Sequence, residues 1–201
     1  MRGLAAGDRA AFETLYRQHN EAMVRVASAI LHNHASAEEV AHETWISVLR
    51  NIDQFEGRSS LAGWIFTILS NTARTRAKRD GRAVALDIAA NDDGLTDQFD
   101  PGGRWKQTPA PWADVWPDLR DEQTPERIVA GREVLAQVRA AVEALPPAQR
   151  AVLVLRAQQG LDAAEVCAIL DISQANMRVL LHRARLSVRA KIDAAAGRQP
   201  G

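Results

Sequence analysis

Helical periodicity carries most of this chain and fails over residues 83–125, and that gap dictates the architecture. The stretch holds Pro101, Pro109, Pro111, Pro117 and Pro125, five of the eight prolines, together with Gly94, Gly102 and Gly103. Proline and glycine at this density interrupt any continuous helix. A segment this long without periodicity reads as a linker, not a domain. The expected organisation is therefore residues 1–82, a linker over 83–125, and residues 126–195. No strand signal of any strength appears, and no repeat of about 20–50 residues is present. The expected fold class is all-α: two small helical domains joined by a long acidic linker, with a helix-turn-helix in the C-terminal one. The linker also carries Phe99, Trp105, Trp112 and Trp116, three of the five tryptophans. Disordered segments are normally poor in aromatic residues, so these rings are expected to dock on something.

Apolar spacing places the helices. Phe12, Leu15, Tyr16, Met23, Val26 and Ile30 recur at near-helical intervals over residues 8–31. Residues 36–50 form a second helix, with Ser36 as its expected N-cap and Glu39 completing a capping box. On it, Val40, Ala41, Thr44, Trp45, Val48 and Leu49 make an apolar stripe, leaving Glu38, Glu39, His42 and Glu43 towards water. Residues 53–60 read as a loop punctuated by Gly57. Residues 61–79 read as a third helix, apolar at first (Leu61, Trp64, Ile65, Ile68, Leu69) and then abruptly basic. Beyond the linker, helices are expected over 126–145, 148–158, 162–170 and 174–192. Pro146 and Pro147 reset the chain, and Gly160 closes the second of these helices.

A net charge of zero hides a segregated pattern. Residues 1–56 carry five basic and eight acidic side chains. Residues 71–82 carry Arg74, Arg76, Lys78, Arg79 and Arg82 against Asp80 alone. Residues 83–126 hold ten acids and three bases, whereas residues 172–192 hold four arginines and one lysine with no acid. Two basic patches separated by an acidic stretch suggest two contacts with a polyanion.

The second basic patch fits a helix-turn-helix, which needs two short helices, a short turn and apolar residues at the crossing. Val166, Ile169, Leu170, Ile172, Met177, Leu180 and Leu181 supply that crossing, and Ser173 can cap the second helix. Met177, Leu181, Ala184 and Val188 share one stripe; Gln174, Arg178, His182, Arg185 and Arg189 share a neighbouring, solvent-facing one. Such a helix can enter a major groove with its N-terminal residues over base edges. The pattern also fits a solvated basic helix on a small bundle. The first patch joins Trp64 and Phe66 to the run Asn71, Arg74, Arg76, Lys78 and Arg79. Rings beside a basic track suit unstacked single-stranded bases. The alternative is that both rings are core residues and the basic end is simply surface.

Other chemistries find little support. Cys167 is the one cysteine and lies in an apolar stretch, so neither a disulfide nor nucleophilic catalysis is expected. His32, His34 and His42 with Glu38 fall short of a four-ligand metal site. No glycine-rich phosphate loop is present, and no cofactor or metal is expected. No apolar run approaches the roughly 20 residues of a membrane span, and the first residues turn polar too early for a signal peptide. The expectation is a cytoplasmic protein that is not an enzyme.

Taken together, the motifs resemble the extracytoplasmic-function sigma factors of bacterial RNA polymerase. The likeness begins with Ala-Gly-Asp-Arg-Ala-Ala-Phe-Glu-Thr-Leu-Tyr at 6–16. Residues 36–50 are similar to the family's helix that docks on the core-polymerase clamp, and residues 55–79 to its promoter-melting region. Residues 145–156 and 165–189, the latter with Leu-Leu-His-Arg-Ala-Arg at 180–185, resemble its promoter-reading domain. The resemblance implies that residues 1–82 bind core RNA polymerase and melt the −10 element, and that residues 126–195 read the −35 element. It implies core contacts at Glu39, Glu43 and Trp45. It implies −10 and melting roles for Phe55, Gly57, Arg58, Ser59, Trp64, Asn71, Arg74, Arg76, Lys78 and Arg79. It implies −35 contacts at Gln174, Asn176, Arg178, His182, Arg183 and Arg185. The partners implied are core polymerase, promoter DNA and an anti-sigma factor, with no membrane insertion. The acidic linker would thread along the polymerase towards the RNA exit path.

The sequence departs from the family in its helix-turn-helix turn, where Asp171 stands in place of the usual glycine; aspartate tolerates the left-handed conformation better than most residues. Cys167 stands where a small alanine is common and is expected to act as a small buried hydrophobe. Two other classes remain open on sequence alone. One is a helix-turn-helix repressor that binds duplex DNA unaided. The other is a sigma-like decoy that binds polymerase without supporting initiation.

Overall fold

The computed structural model describes residues 8–81 and 135–195, and among them every regular element is helical. Helix α1 (Arg9–Leu31) starts where the Asp8 carboxylate accepts from the Ala10 amide at 2.8 Å. It ends on His32, which adopts the left-handed conformation and donates its N–H to Ser28. Helix α2 (His34–Asn51) follows after a single extended residue, Asn33, whose side chain accepts from the Ser36 amide at 3.0 Å. Asn33 is therefore the cap, not Ser36. The chain reverses on His32 and restarts two residues earlier than expected, and the Glu39 carboxylate goes to Arg76 instead of back to the helix start.

A 3-10 turn (Ile52–Gln54) leads into the loop, and helix α3 (Leu61–Arg79) follows with the boundaries that its switch from apolar to basic residues predicts. These three helices pack mutually around Met23, Val26, Ile30, Val40, Val48, Ile65, Phe66 and Leu69. The C-terminal unit begins with α4 (residues 135–143). Next comes α5 (Pro147–Leu153), with proline in its first turn, where a missing N–H is no loss. It runs into a π-helical turn (Val154–Gln158) that ends near Gly160 at φ 68°. Helices α6 (Ala163–Leu170) and α7 (Gln174–Ala195) complete the unit around Leu155, Leu161, Val166, Ile169, Leu170 and Leu180.

The two units do not stand apart. Helix α1 lies against α5, α3 lies against α6, and the buried side chains of both units form one continuous core. Polar ties cross the seam. His19 Nδ1 is 2.5 Å from Gln159 Oε1, and Arg25 Nε donates to Glu143 Oε1 at 2.5 Å. Ser60 Oγ donates to Glu165 Oε1 at 3.0 Å, and Arg74 Nη2 donates to the Ile169 carbonyl at 2.6 Å. The expected linker, with Phe99, Trp105, Trp112 and Trp116, lies outside the described residues, as do Arg82 and residues 126–134.

Candidate nucleic-acid interface

The first surface is the loop over 55–60 with the helix that follows it. The Phe55 amide donates to the Ile52 carbonyl, which turns the chain out of the 3-10 turn. Gly57 sits at φ 72° with open space around its α-carbon, so the glycine is needed for the backbone conformation and not for room. Ser60 caps α3 by accepting from the Gly63 amide at 2.9 Å. Phe55 and Trp64 stack obliquely, ring centroids 5.2 Å apart, which folds the loop back onto the first turn of α3. Gly57, Arg58 and Ser59 face water, with Arg58 hydrogen-bonded to Glu56 at 2.6 Å.

Phe66 is fully buried and packs edge-on near His19. Of the two rings considered for base stacking, Phe66 is thus a core residue and only Trp64 reaches the surface. The basic end of α3 divides by helical position. Asn71, Lys78 and Arg79 are exposed along one side. Arg74 turns to the C-terminal unit. Arg76 turns to α2, where one guanidinium nitrogen meets Glu39 and the other meets Glu43 at 2.6 Å. The hydrogen bond to Glu39 pushes the Arg76 pKa further above its ordinary range.

The second surface is α6, its turn and α7. Asp162 and Glu165 form a reciprocal capping box, at 2.8 Å and 3.1 Å. Asp171 takes the left-handed conformation (φ 57°, ψ 51°) that the turn requires, as the sequence suggested. Ser173 Oγ accepts from the Asn176 amide at 3.1 Å and caps α7. Met177, Leu181, Ala184 and Val188 are buried, which rotates Gln174 and Arg189 out to solvent and leaves Arg178, His182 and Arg185 half-buried. Asn176 and Arg183 are half-buried too. Arg178 Nη2 donates to Gln174 Oε1 at 3.1 Å, one turn earlier. Burial, reinforced by the charges of Arg185 and Arg183, lowers the His182 pKa and so favours the neutral ring. Cys167 is half-buried against the core; burial raises its thiol pKa, so it is a poor nucleophile.

The α2 face departs from expectation. Trp45 is 3% exposed, donates its indole N–H to Asn20 at 3.0 Å and packs edge-on against Phe12 at 5.5 Å. It belongs to the core and presents no surface to a partner. Leu49, assigned by periodicity to the buried stripe, is instead 47% exposed, and Ile46 and Tyr16 are exposed as well.

Known proteins share this two-part layout. Residues 15–83 match the family described as Sigma-70 region 2, and residues 135–188 match Sigma-70, region 4. ECF RNA polymerase sigma factor SigE of Mycolicibacterium smegmatis is 28% identical over 92% of this chain and 64% of its own length. The chain belongs to the extracytoplasmic-function sigma factors. It spans somewhat less than two thirds of that SigE, but 86% of the RNA polymerase sigma-H factor of Pseudomonas aeruginosa, to which it is 26% identical over 90% of its own residues. Among solved structures, the sigma factor RpoE of Bartonella quintana, crystallised with the anti-sigma factor NepR, is 20% identical. That match covers 91% of this chain and 97% of that one, with a TM-score of 0.48.

Within this sigma factor, the structure brings Phe55, Gly57, Arg58, Ser59 and Trp64 together at one end of α3 and draws Glu39, Glu43 and Arg76 into one cluster. Sequence reasoning missed the exposed trio Tyr16, Ile46 and Leu49. The available signal was that Ile46 and Leu49 stand three apart on α2, one step round from Trp45 and Val48, on a face the core stripe does not use. No helix among the described residues is long and apolar enough to cross a membrane, and none of them group as a metal-binding cluster.

Proposed function

We propose that this chain binds core RNA polymerase and directs it to promoters by reading two DNA elements. The observation that carries the reading is the pairing of two unlike nucleic-acid surfaces in one sigma-70 chain. One is a loop-and-aromatic platform ahead of a basic helix. The other is a capped helix-turn-helix whose second helix carries arginines. A repressor needs only the second. The first suits unstacked bases, which a protein meets when a duplex is open.

In this reading Phe55, Gly57, Arg58, Ser59 and Trp64 form the receiving site for a −10 base. A flipped base costs a few kcal/mol in lost pairing and stacking, which the site must offset. Asn71, Lys78 and Arg79 hold the adjoining backbone, joined by Arg74 and Arg76 once their protein partners let go. Gln174, Asn176, Arg178, His182, Arg183 and Arg185 face the −35 element. The domain roles follow: residues 1–82 for polymerase and −10, residues 126–195 for −35, residues 83–125 as the connection. Polymerase docking rests on Glu39 and Glu43 with the exposed Ile46 and Leu49 beside them, since Trp45 is buried. The chain acts as a specificity subunit in the cytoplasm and not as an enzyme, with an anti-sigma protein as its expected restraint. Run-off transcription with purified core polymerase on a promoter library tests this. Specific transcripts that need both components support it; duplex binding with no transcript from any promoter overturns it.

A further inference from the structure

A cavity of about 520 Å³ lies where α1 meets the C-terminal unit, and none of the residues assigned above to DNA or polymerase lines it. Val138 and Val142 of α4, Leu153 and Val154 at the end of α5, and Val188 of α7 give it an apolar floor. Pockets of this size, apolar with a few polar groups on the wall, take bodies of drug size, and a pair of indole rings is of that order. The charges on the wall are unevenly compensated. Arg25 is bonded to Glu143 and to Glu21, both at 2.5 Å. Arg139 also lines the cavity, is exposed, and has no ion pair among the described residues. The cavity thus offers an apolar floor with one uncompensated cation beside it. The π-helical turn sets Ala157 on the wall at an exposed position, where a larger side chain would fill the space.

The chain that enters this unit carries a matching occupant. Leu135 lines the cavity, is 42% exposed, and is the residue at which the described C-terminal unit begins. Eighteen residues separate it from Trp116, and at up to about 3.5 Å per residue that is ample chain for the ring to turn back to the cavity. Charge chooses among the linker's rings. Trp105 is flanked by Arg104 and Lys106, which Arg139 repels. Trp116 stands between Asp114 and Asp118, and residues 107–119 hold no base. Tryptophan is a favoured anchor for a pocket at an interface. Its indole N–H needs an acceptor when buried, and Gln158 on the cavity wall carries one. A short tether also raises the local concentration of the ring to the order of millimolar, so a weak contact suffices to hold it.

We infer that residues 114–118 of the linker dock on their own chain in this cavity, with the Trp116 indole on the valine floor and a flanking aspartate paired with Arg139. The linker is thereby anchored beside α4 in the absence of any partner.

The full chain tests this with its five tryptophans replaced biosynthetically by 5-fluorotryptophan, read by fluorine NMR and assigned through single tryptophan-to-phenylalanine substitutions. Trp116 should resonate away from the free-indole position and barely shift between light and heavy water, while Trp105 sits at the free position with the full solvent shift. Ala157→Phe, which fills the cavity from an exposed position, should return Trp116 to the free position. Unmoved Trp45 and Trp64 signals show that this variant keeps its fold. Arg139→Glu, on the exposed rim, should lower the ratio of seated to free ring about two- to fivefold, and adding Asp114→Arg with Asp118→Arg should restore it. A free Trp116 in the unbound wild type overturns the inference, as does a seated ring that Ala157→Phe leaves in place. A seated signal lost on dilution puts the ring in a second copy, and one that arises only on adding core polymerase puts it on that partner; either overturns docking on its own chain. Absence of recovery in the charge-reversed variant overturns the aspartate–arginine pairing.

Discussion

Trp64 and Phe66 are two residues apart on one helix, and the structure assigns them opposite duties. Phe66 is fully buried among the helices of the N-terminal unit. Truncating a buried phenylalanine loses its transfer free energy and leaves a cavity, together about 3–5 kcal/mol. A domain of this size holds about 5–15 kcal/mol in all, so Phe66→Ala removes a large share of it. Trp64 is half-buried and touches Phe55 at 5.2 Å. The ring pair is worth about 0.5–1.5 kcal/mol beyond burial, so Trp64→Ala costs about 1–2 kcal/mol. Urea unfolding followed by far-UV circular dichroism separates the two. Phe66→Ala should shift the midpoint at least twice as far as Trp64→Ala with an unchanged slope. The volume-conserving Phe66→Leu should cost less than about 1.5 kcal/mol and leave promoter opening intact, whereas Trp64→Ala impairs opening while the protein remains folded. Equal midpoints for the two alanine variants would refute the interior placement of Phe66. Loss of opening in a stable Phe66→Leu protein would refute the division of labour.

Other outcomes follow from the same geometry. Arg178→Ala should weaken initiation at the cognate −35 sequence more than at a mutated one, because a base contact contributes about 1–3 kcal/mol of discrimination; equal loss on both templates would make Arg178 a phosphate contact. Arg76→Ala leaves Glu39 and Glu43 one turn apart with like charge. With those carboxylates 64% and 49% exposed, the loss is about 1 kcal/mol in urea unfolding at low salt and shrinks in high salt; a salt-independent difference would refute the ion-pair account. Burial lowers the His19 pKa, opposed by its bond to Gln159, so the unfolded chain takes up the proton first as pH falls. Stability is then full above the ordinary imidazole value of about 6.5 and declines as pH drops below it towards the folded value; His19→Gln should flatten that decline, with His182 supplying the remainder.

Much of this was legible in local sequence, and the exceptions share a cause. The ends of α3 follow from Ser60 and from the switch between apolar and basic residues, and the turn at Asp171 from a residue type that tolerates a positive φ. These are signals carried within a few residues. Asn33 took the cap from Ser36 because His32 could turn the chain left-handed, a choice that neighbouring helices decide. Trp45 falls in the apolar stripe that spacing along its own helix defines, and only the family resemblance turned it outward to polymerase; Asn20, Phe12 and Tyr16 from α1 enclose it. The basic run on α3 looked uniform, yet Arg74 and Arg76 are claimed by partners 95 and 37 residues away. Glu165 meets Ser60 across 105 residues, and no periodicity records such a pair. Local spacing thus located the surfaces, while long-range packing decided which of their side chains are available in the unbound chain.

The central claim is that the loop and aromatic platform open promoter DNA in company with core polymerase. Permanganate footprinting of unpaired thymines tests it most directly. Neither component alone should create reactive thymines, since each base-pair step holds about 1.4 kcal/mol of stacking that the isolated chain has no means to offset. The two together should expose thymines around the −10 element. Replacing residues 55–60 by a glycine-serine loop should abolish or relocate that reactivity while binding to core polymerase persists. The account is contradicted if the loop-replaced protein opens the same promoter at the same rate.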